Sequence, residues 1–222
     1  MPETKVKVKI CGLTRRVDAM DAVEAGADFL GVVLVPDTPR ARTPKEARAL
    51  LADTGVPSVI VVADLGPSEI REAAEMVGAS IIQLHGEESP EVVMELHEAG
   101  PWKVWKALRV RGQADLMEGL ARFGEVADGL LLDAWHPGRR GGTGVRFSWE
   151  EVAEVRTAVP PRLLLVAAGG LAPDNVREAV ITLRPQVVDV SSGVEERPGI
   201  KDRIRVEAFI RSVRAANEGG EE

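Results

Sequence analysis

Eight short apolar, β-branched runs recur along the chain at a nearly regular pitch: 5–10, 28–34, 57–63, 80–84, 103–108, 128–132, 162–166 and 187–190. Segments of helical spacing separate them. The clearest place Ile70, Ala73, Ala74 and Val77, and again Val206, Phe209, Ile210 and Val213, at i, i+3, i+4 and i+7. Runs as continuously apolar as Val59 to Val62 or Leu163 to Val166 suit strands covered on both faces, hence a parallel sheet with crossover helices. Eight such units in 222 residues match the small end of a (β/α)8 TIM barrel, an α/β fold forming one domain over 1–222. An open doubly wound sheet is the competing architecture, and the unbroken run of units favours closure. Helix starts are expected at Pro67-Ser68 and Pro173-Asp174, and a disordered tail over 217–222.

Composition narrows the function. A net charge of −7 and a pI near 5.2 provide no basic face for nucleic acid. Lys5, Lys7 and Lys9 alternate with Val6, Val8 and Ile10, the pattern of a strand whose lysines face water. With one cysteine, Cys11, the chain can form no internal disulfide and has no second sulfur for a zinc site. No apolar run has the length of a membrane span, so a cytoplasmic protein without membrane partners is expected. A homodimer stays open.

In a barrel the carboxyl ends of the strands form the rim on which active sites are built. Cys11 ends the first strand, Gly31 and Arg40 belong to the second and its loop, Gln83 and His85 end the fourth, and Asp133 ends the sixth. Glycine-rich turns follow strands seven (Ala167 to Leu171) and eight (Asp189 to Glu195), the usual phosphate position in this fold. Both turns, with Gly170 in one and Ser192 and Gly193 in the other, put small residues where backbone N–H groups can close on an anion; Gln83 and Asp189 stand beside them on the rim, and His85 reads either as an acid or base or as a histidine packed beneath the ligand. A long connection, WHPGRRGGTG, follows strand six and reads as a lid that brings Gly142 to the substrate. Arg40, stiffened by prolines, suits a second anionic group. His97 and His136 fall in a helix and a loop and are not expected to act.

The segments KICGLTR, PRARTP, IIQLHGEE, LLLDAW with GGTGVRF, AGGLAPDNV and DVSSGVEERPGIKD run in order from Lys9 to Asp202, and in combination the chain resembles the phosphoribosylanthranilate isomerase family of tryptophan biosynthesis. The resemblance implies an Amadori rearrangement of a phosphosugar, with Cys11 as general base, Asp133 as general acid and Arg40 holding the anthranilate carboxylate. It implies no metal or organic cofactor. Thr38 and Ala41 stand where the family usually has serine and an aromatic residue, and WHPGRR lengthens the sixth loop. Other phosphosugar barrels, among them an epimerase or indole-glycerol-phosphate synthase, would need a metal or a strand-end lysine, for which Lys103 and Lys106 are the candidates. A phosphate-ligand sensor would bind without turnover.

The implied pair of acid and base is energetically demanding. With reference pKa values of about 3.9 and 8.5, a protonated aspartic acid beside a thiolate is on the order of 10⁻⁵ to 10⁻⁴ of the neutral-pH population, a gap of roughly 6 kcal/mol. Leu131, Leu132 and Trp135 are expected to wall Asp133, and backbone donors near Gly12 to hold down Cys11.

Overall fold

The structure, a computed structural model, describes residues 5–134 and 149–218. Eight parallel strands, β1 (Lys7–Ile10), β2 (Phe29–Val33), β3 (Ser58–Val62), β4 (Ile81–Leu84), β5 (Lys103–Val110), β6 (Gly129–Ala134), β7 (Leu164–Ala167) and β8 (Val187–Val190), close in sequence order. The seam is β1 against β8, with Lys7 opposite Val187 and Ile10 opposite Val190. Helices α1 (Arg16–Ala25), α2 (Pro44–Leu51), α3 (Pro67–Val77), α4 (Pro90–Ala99), α5 (Gln113–Phe123), α6 (Trp149–Glu154), α7 (Val176–Leu183) and α8 (Arg203–Glu218) cover the outside. The β8 loop carries a small antiparallel hairpin, β9 (Glu195–Arg197) with β10 (Ile200–Lys201).

Closure follows from the period of two along each strand. One set of side chains, including Val8, Ile10, Leu130 and Leu132, joins the helix faces in a continuous outer core. The other set, among them Phe29, Val59, Ile81, Trp105, Leu131 and Val187, fills the barrel itself. Trp105 meets Phe29 edge-on at 5.4 Å, and it fits because a side chain at Gly129 would come within 2.9 Å of its ring. Helix starts obey local chemistry. Pro67 opens α3, while Thr43 and Glu46 exchange side-chain and backbone bonds at the start of α2.

Several expectations shift. Helix α7 begins at Val176, because the Pro173-Asp174 segment is used in a turn: Asn175 accepts from Ala172 N and donates to the Gly170 carbonyl. At the other end, α8 continues through Glu218, and Asn217 bonds both backbone groups of Val6, so the expected tail can begin no earlier than 219, outside the described residues. The lysine alternation is inverted at Lys9. Val8 and Ile10 face the helices, so Lys9 enters the barrel and is fully buried. Likewise Leu131 points inward beneath Asp133, but Leu132 packs outward against the helices and cannot wall it. Trp135, His136, Arg139, Arg140 and Gly142, in the segment read as a lid, lie outside the described residues.

Candidate active site

The inward positions change chemistry from the bottom of the barrel to the rim. On β4 the sequence climbs Ile81, Gln83, His85; on β6, Gly129, Leu131, Asp133; on β8, Val187, Asp189, Ser191; on β1, Lys9 then Cys11. Apolar filling therefore gives way to a polar floor and then to a cavity of about 590 Å³. Cys11, Arg40, Gln83, His85, Asp133, Gly170, Asp189 and Ser192 all line it. Gly193 does not. It lies behind the wall, where a side chain would collide with the Leu171 carbonyl and force the β7 and β8 loops apart.

Cys11 is buried and fixed at the β1 end by its N–H, which donates to the Val190 carbonyl at 2.9 Å. Gly12 follows with φ of 72°, a left-handed turn, and a side chain there would sit 2.5 Å from Arg40 Cδ and 2.8 Å from Ser191 Oγ. Gly31, on β2, leaves the space beside the thiol: an added methyl would come within 2.9 Å of Cys11 Sγ and 3.1 Å of Lys9 Cε. Gly31→Ala should lower kcat about 10²-fold by displacing these two groups. The fold should survive, since overpacking by one methyl costs about 1–3 kcal/mol. Steady-state kinetics beside a thermal melt checks this, and undiminished kcat in a folded variant would refute the close approach.

Lys9 forms the floor, donating to Asp189 Oδ2 at 3.0 Å and Gln83 Oε1 at 2.9 Å. Burial alone would lower the Lys9 pKa, but Asp189 and Cys11 outweigh it and leave it raised. For Cys11 burial dominates and pushes the thiol up, against a partial lowering by Lys9 and, more weakly, Lys201. The cation opposing burial is thus Lys9, in place of the backbone donors expected near Gly12. Asp189 Oδ1 is buried without a hydrogen-bond partner among the described residues.

Arg40 reaches the cavity as half of a bidentate ion pair, Nε to Glu195 Oε1 at 2.8 Å and Nη2 to Oε2 at 2.6 Å. Lys201 grips the same carboxylate at 3.0 Å and the Ser191 carbonyl at 3.0 Å. Burial works against the Glu195 carboxylate, yet Arg40 and Lys201 outweigh it and leave its pKa lowered. The β9–β10 hairpin is therefore the support that aims Arg40. Thr38 and Pro39 line the cavity with it.

His85 Nε2 lies 3.3 Å from Asp133 Oδ2, and its Nδ1 lies 3.0 Å from Gln83 Nε2. Gly169 and Gly170, with φ of 77° and 67°, turn the β7 loop toward the short 3₁₀ turn Ser192–Val194 after β8. That pair of loops can present backbone donors to an anion. His97 is remote, on α4 beside Asp128. Neither lysine that the alternative barrels would need reaches the cavity. Lys103 is exposed against Asp128, and Lys106 is tied to the Gly86 carbonyl and Glu88.

Lys9, Glu195 and Lys201 belong to the site, although the motifs that contain them, KICGLTR and DVSSGVEERPGIKD, suggested no role for them. Lys9 stands two residues before Cys11 and shares its strand face, but alternation alone does not say which face points into the barrel. Glu195 and Lys201 depend on a hairpin pairing within the β8 loop that local spacing does not reveal.

Residues 8–212 match the family model described as N-(5'phosphoribosyl)anthranilate (PRA) isomerase. An N-(5'-phosphoribosyl)anthranilate isomerase from Pseudomonas putida is 42% identical over 217 residues, covering 96% of this chain and all of the relative. The crystal structure of phosphoribosyl anthranilate isomerase from Thermotoga maritima superimposes with a TM-score of 0.85 at 37% identity, covering 95% of this chain and 99% of that one. A further isomerase structure, in complex with reduced 1-(o-carboxyphenylamino)-1-deoxyribulose 5-phosphate, aligns with a TM-score of 0.83 at 35% identity over 95% and 99% of the two chains.

Proposed function

The chain belongs to the N-(5'-phosphoribosyl)anthranilate isomerase family, and from that membership we propose how its rim residues divide the work. It is an isomerase of tryptophan biosynthesis that converts N-(5'-phosphoribosyl)anthranilate to 1-(2-carboxyphenylamino)-1-deoxyribulose 5-phosphate. The observation that carries the division is the joint placement of Cys11 from β1 and Asp133 from β6 on one cavity, with the β7 and β8 glycine loops between their strands in the ring.

The substrate phosphate binds at Gly170 and Ser192, with Asp189 lining the cavity beside them. Asp133 protonates the furanose ring oxygen as the C1'–O bond breaks, while the anilino nitrogen lone pair forms the C1'=N bond of a Schiff base. The Cys11 thiolate then takes the C2' proton. The electrons of that bond become C1'=C2', and those of C1'=N return to nitrogen, giving an enolamine. Loss of the C2' hydroxyl proton and protonation at C1' complete the ketone, so protons balance and no electrons leave the substrate.

The direct test follows the fluorescence of phosphoribosylanthranilate on mixing with the purified chain; tight binding without turnover would support a sensor instead. Arg40 is the expected anchor for the anthranilate carboxylate, exchanging part of its Glu195 contact for the ligand. Arg40→Ala should raise KM about 10- to 100-fold, the loss of one or two hydrogen bonds between charged groups, with a smaller change in kcat. An unchanged KM rejects the anchor.

A further inference from the structure

The hydrogen bonds beneath Asp133 have a determined direction. The Lys9 ammonium has donors only, so the Gln83 atom facing it at 2.9 Å must be the amide oxygen. That orients the Gln83 NH2 group, also donor only, toward His85 Nδ1 at 3.0 Å, which must then offer its lone pair. The ring proton is left on Nε2, facing Asp133 Oδ2 at 3.3 Å. Reversing any one link sets donor against donor at the next.

We propose that Lys9 and Gln83 are positioning residues that lock His85 as a neutral Nε2–H donor to Asp133, resting on the reading of Asp133 as the general acid. The lock has two consequences for the acid. With Nδ1 engaged as an acceptor by the Gln83 NH2 group, the bond from His85 to Asp133 is that of a neutral N–H donor and not a charged one. In addition, Oδ2 is committed as an acceptor, so the proton that Asp133 delivers resides on Oδ1. The chain ends at the other side of the barrel floor on Asp189, whose Oδ2 binds Lys9 at 3.0 Å and keeps the ammonium aimed.

Gln83→Glu tests the lock with almost no change of shape. A carboxylate at 83 still accepts from Lys9 but now also accepts from Nδ1, inviting a proton there. In ¹⁵N-detected NMR of the full chain at pH 8, His85 should carry its only ring proton on Nε2; in Gln83→Glu, Nδ1 should become protonated. The same variant should lose about 10²-fold in kcat with KM within a few-fold, the size of effect expected when an acid is held in the wrong state. His85→Gln, which can place an amide N–H near the former Nε2, should retain kcat within about tenfold, whereas His85→Leu should fall about 10²-fold.

A wild-type spectrum with Nδ1 protonated, or a Gln83→Glu spectrum like the wild type, overturns the lock. A protonated Nδ1 in Gln83→Glu at full kcat, where Asp133→Asn is impaired, overturns the positioning role of the lock. The NMR result does not depend on turnover, so it stands or falls separately from the acid assignment, which Asp133→Asn decides.

Discussion

Asp133→Asn is expected to lower kcat by about 10³-fold and leave KM within a few-fold. The amide keeps the side-chain volume and can still accept from His85 Nε2 through its carbonyl oxygen, so the β6 end and the cavity wall should hold. What disappears is a proton that can be delivered to the ring oxygen as it leaves. Since that proton is needed only when the C1'–O bond breaks, the loss falls on the transition state and appears in kcat. If Asp133 served chiefly to bind the sugar, KM would rise and kcat would change little. Retention of full activity would exclude Asp133 as the acid.

The barrel was legible in the sequence because two periods, 2 and 3.6, alternate eight times, and burial follows them. All of Ile70, Ala73, Ala74 and Val77 are buried on α3, as are Val206, Phe209, Ile210 and Val213 on α8. The rim was legible for the same reason, since a strand end is a position in the sequence. Lys9 was not, because an alternating strand says which residues share a face and does not say which face meets water. In a closed barrel both faces are covered, and Lys9 is stable inside only because Asp189 and Gln83 arrive from β8 and β4. Glu195 was hidden for a related reason. Its partners Arg40 and Lys201 come from the β2 loop and from β10, and only the folded loops bring them together.

Cys11→Ser should lose about 10³-fold in kcat even though it preserves size and shape, because a serine hydroxyl supplies almost no anion at neutral pH. A purely packing role for Cys11 predicts near-normal kcat in the serine variant. The stronger test of the thiolate is the sign of the alkaline pH limb. In Asp133→Asn the proposed acid is gone, so the remaining rate depends on the Cys11 thiolate alone and should rise with pH. Burial raises the Cys11 pKa, so the rise should continue above the ordinary thiol range and level off only beyond the raised value. The wild-type rate, which under the proposed roles also needs a protonated acid, should rise less steeply over the same range. Profiles of kcat/KM from pH 6 to 10 for the two proteins read this directly, and a residual rate in Asp133→Asn that does not rise with pH would remove Cys11 as the base. Burial keeps Cys11 in the thiol form at rest, so a thiolate base at this position is a minority form, and Lys9 increases that minority by offsetting part of the cost of the buried anion.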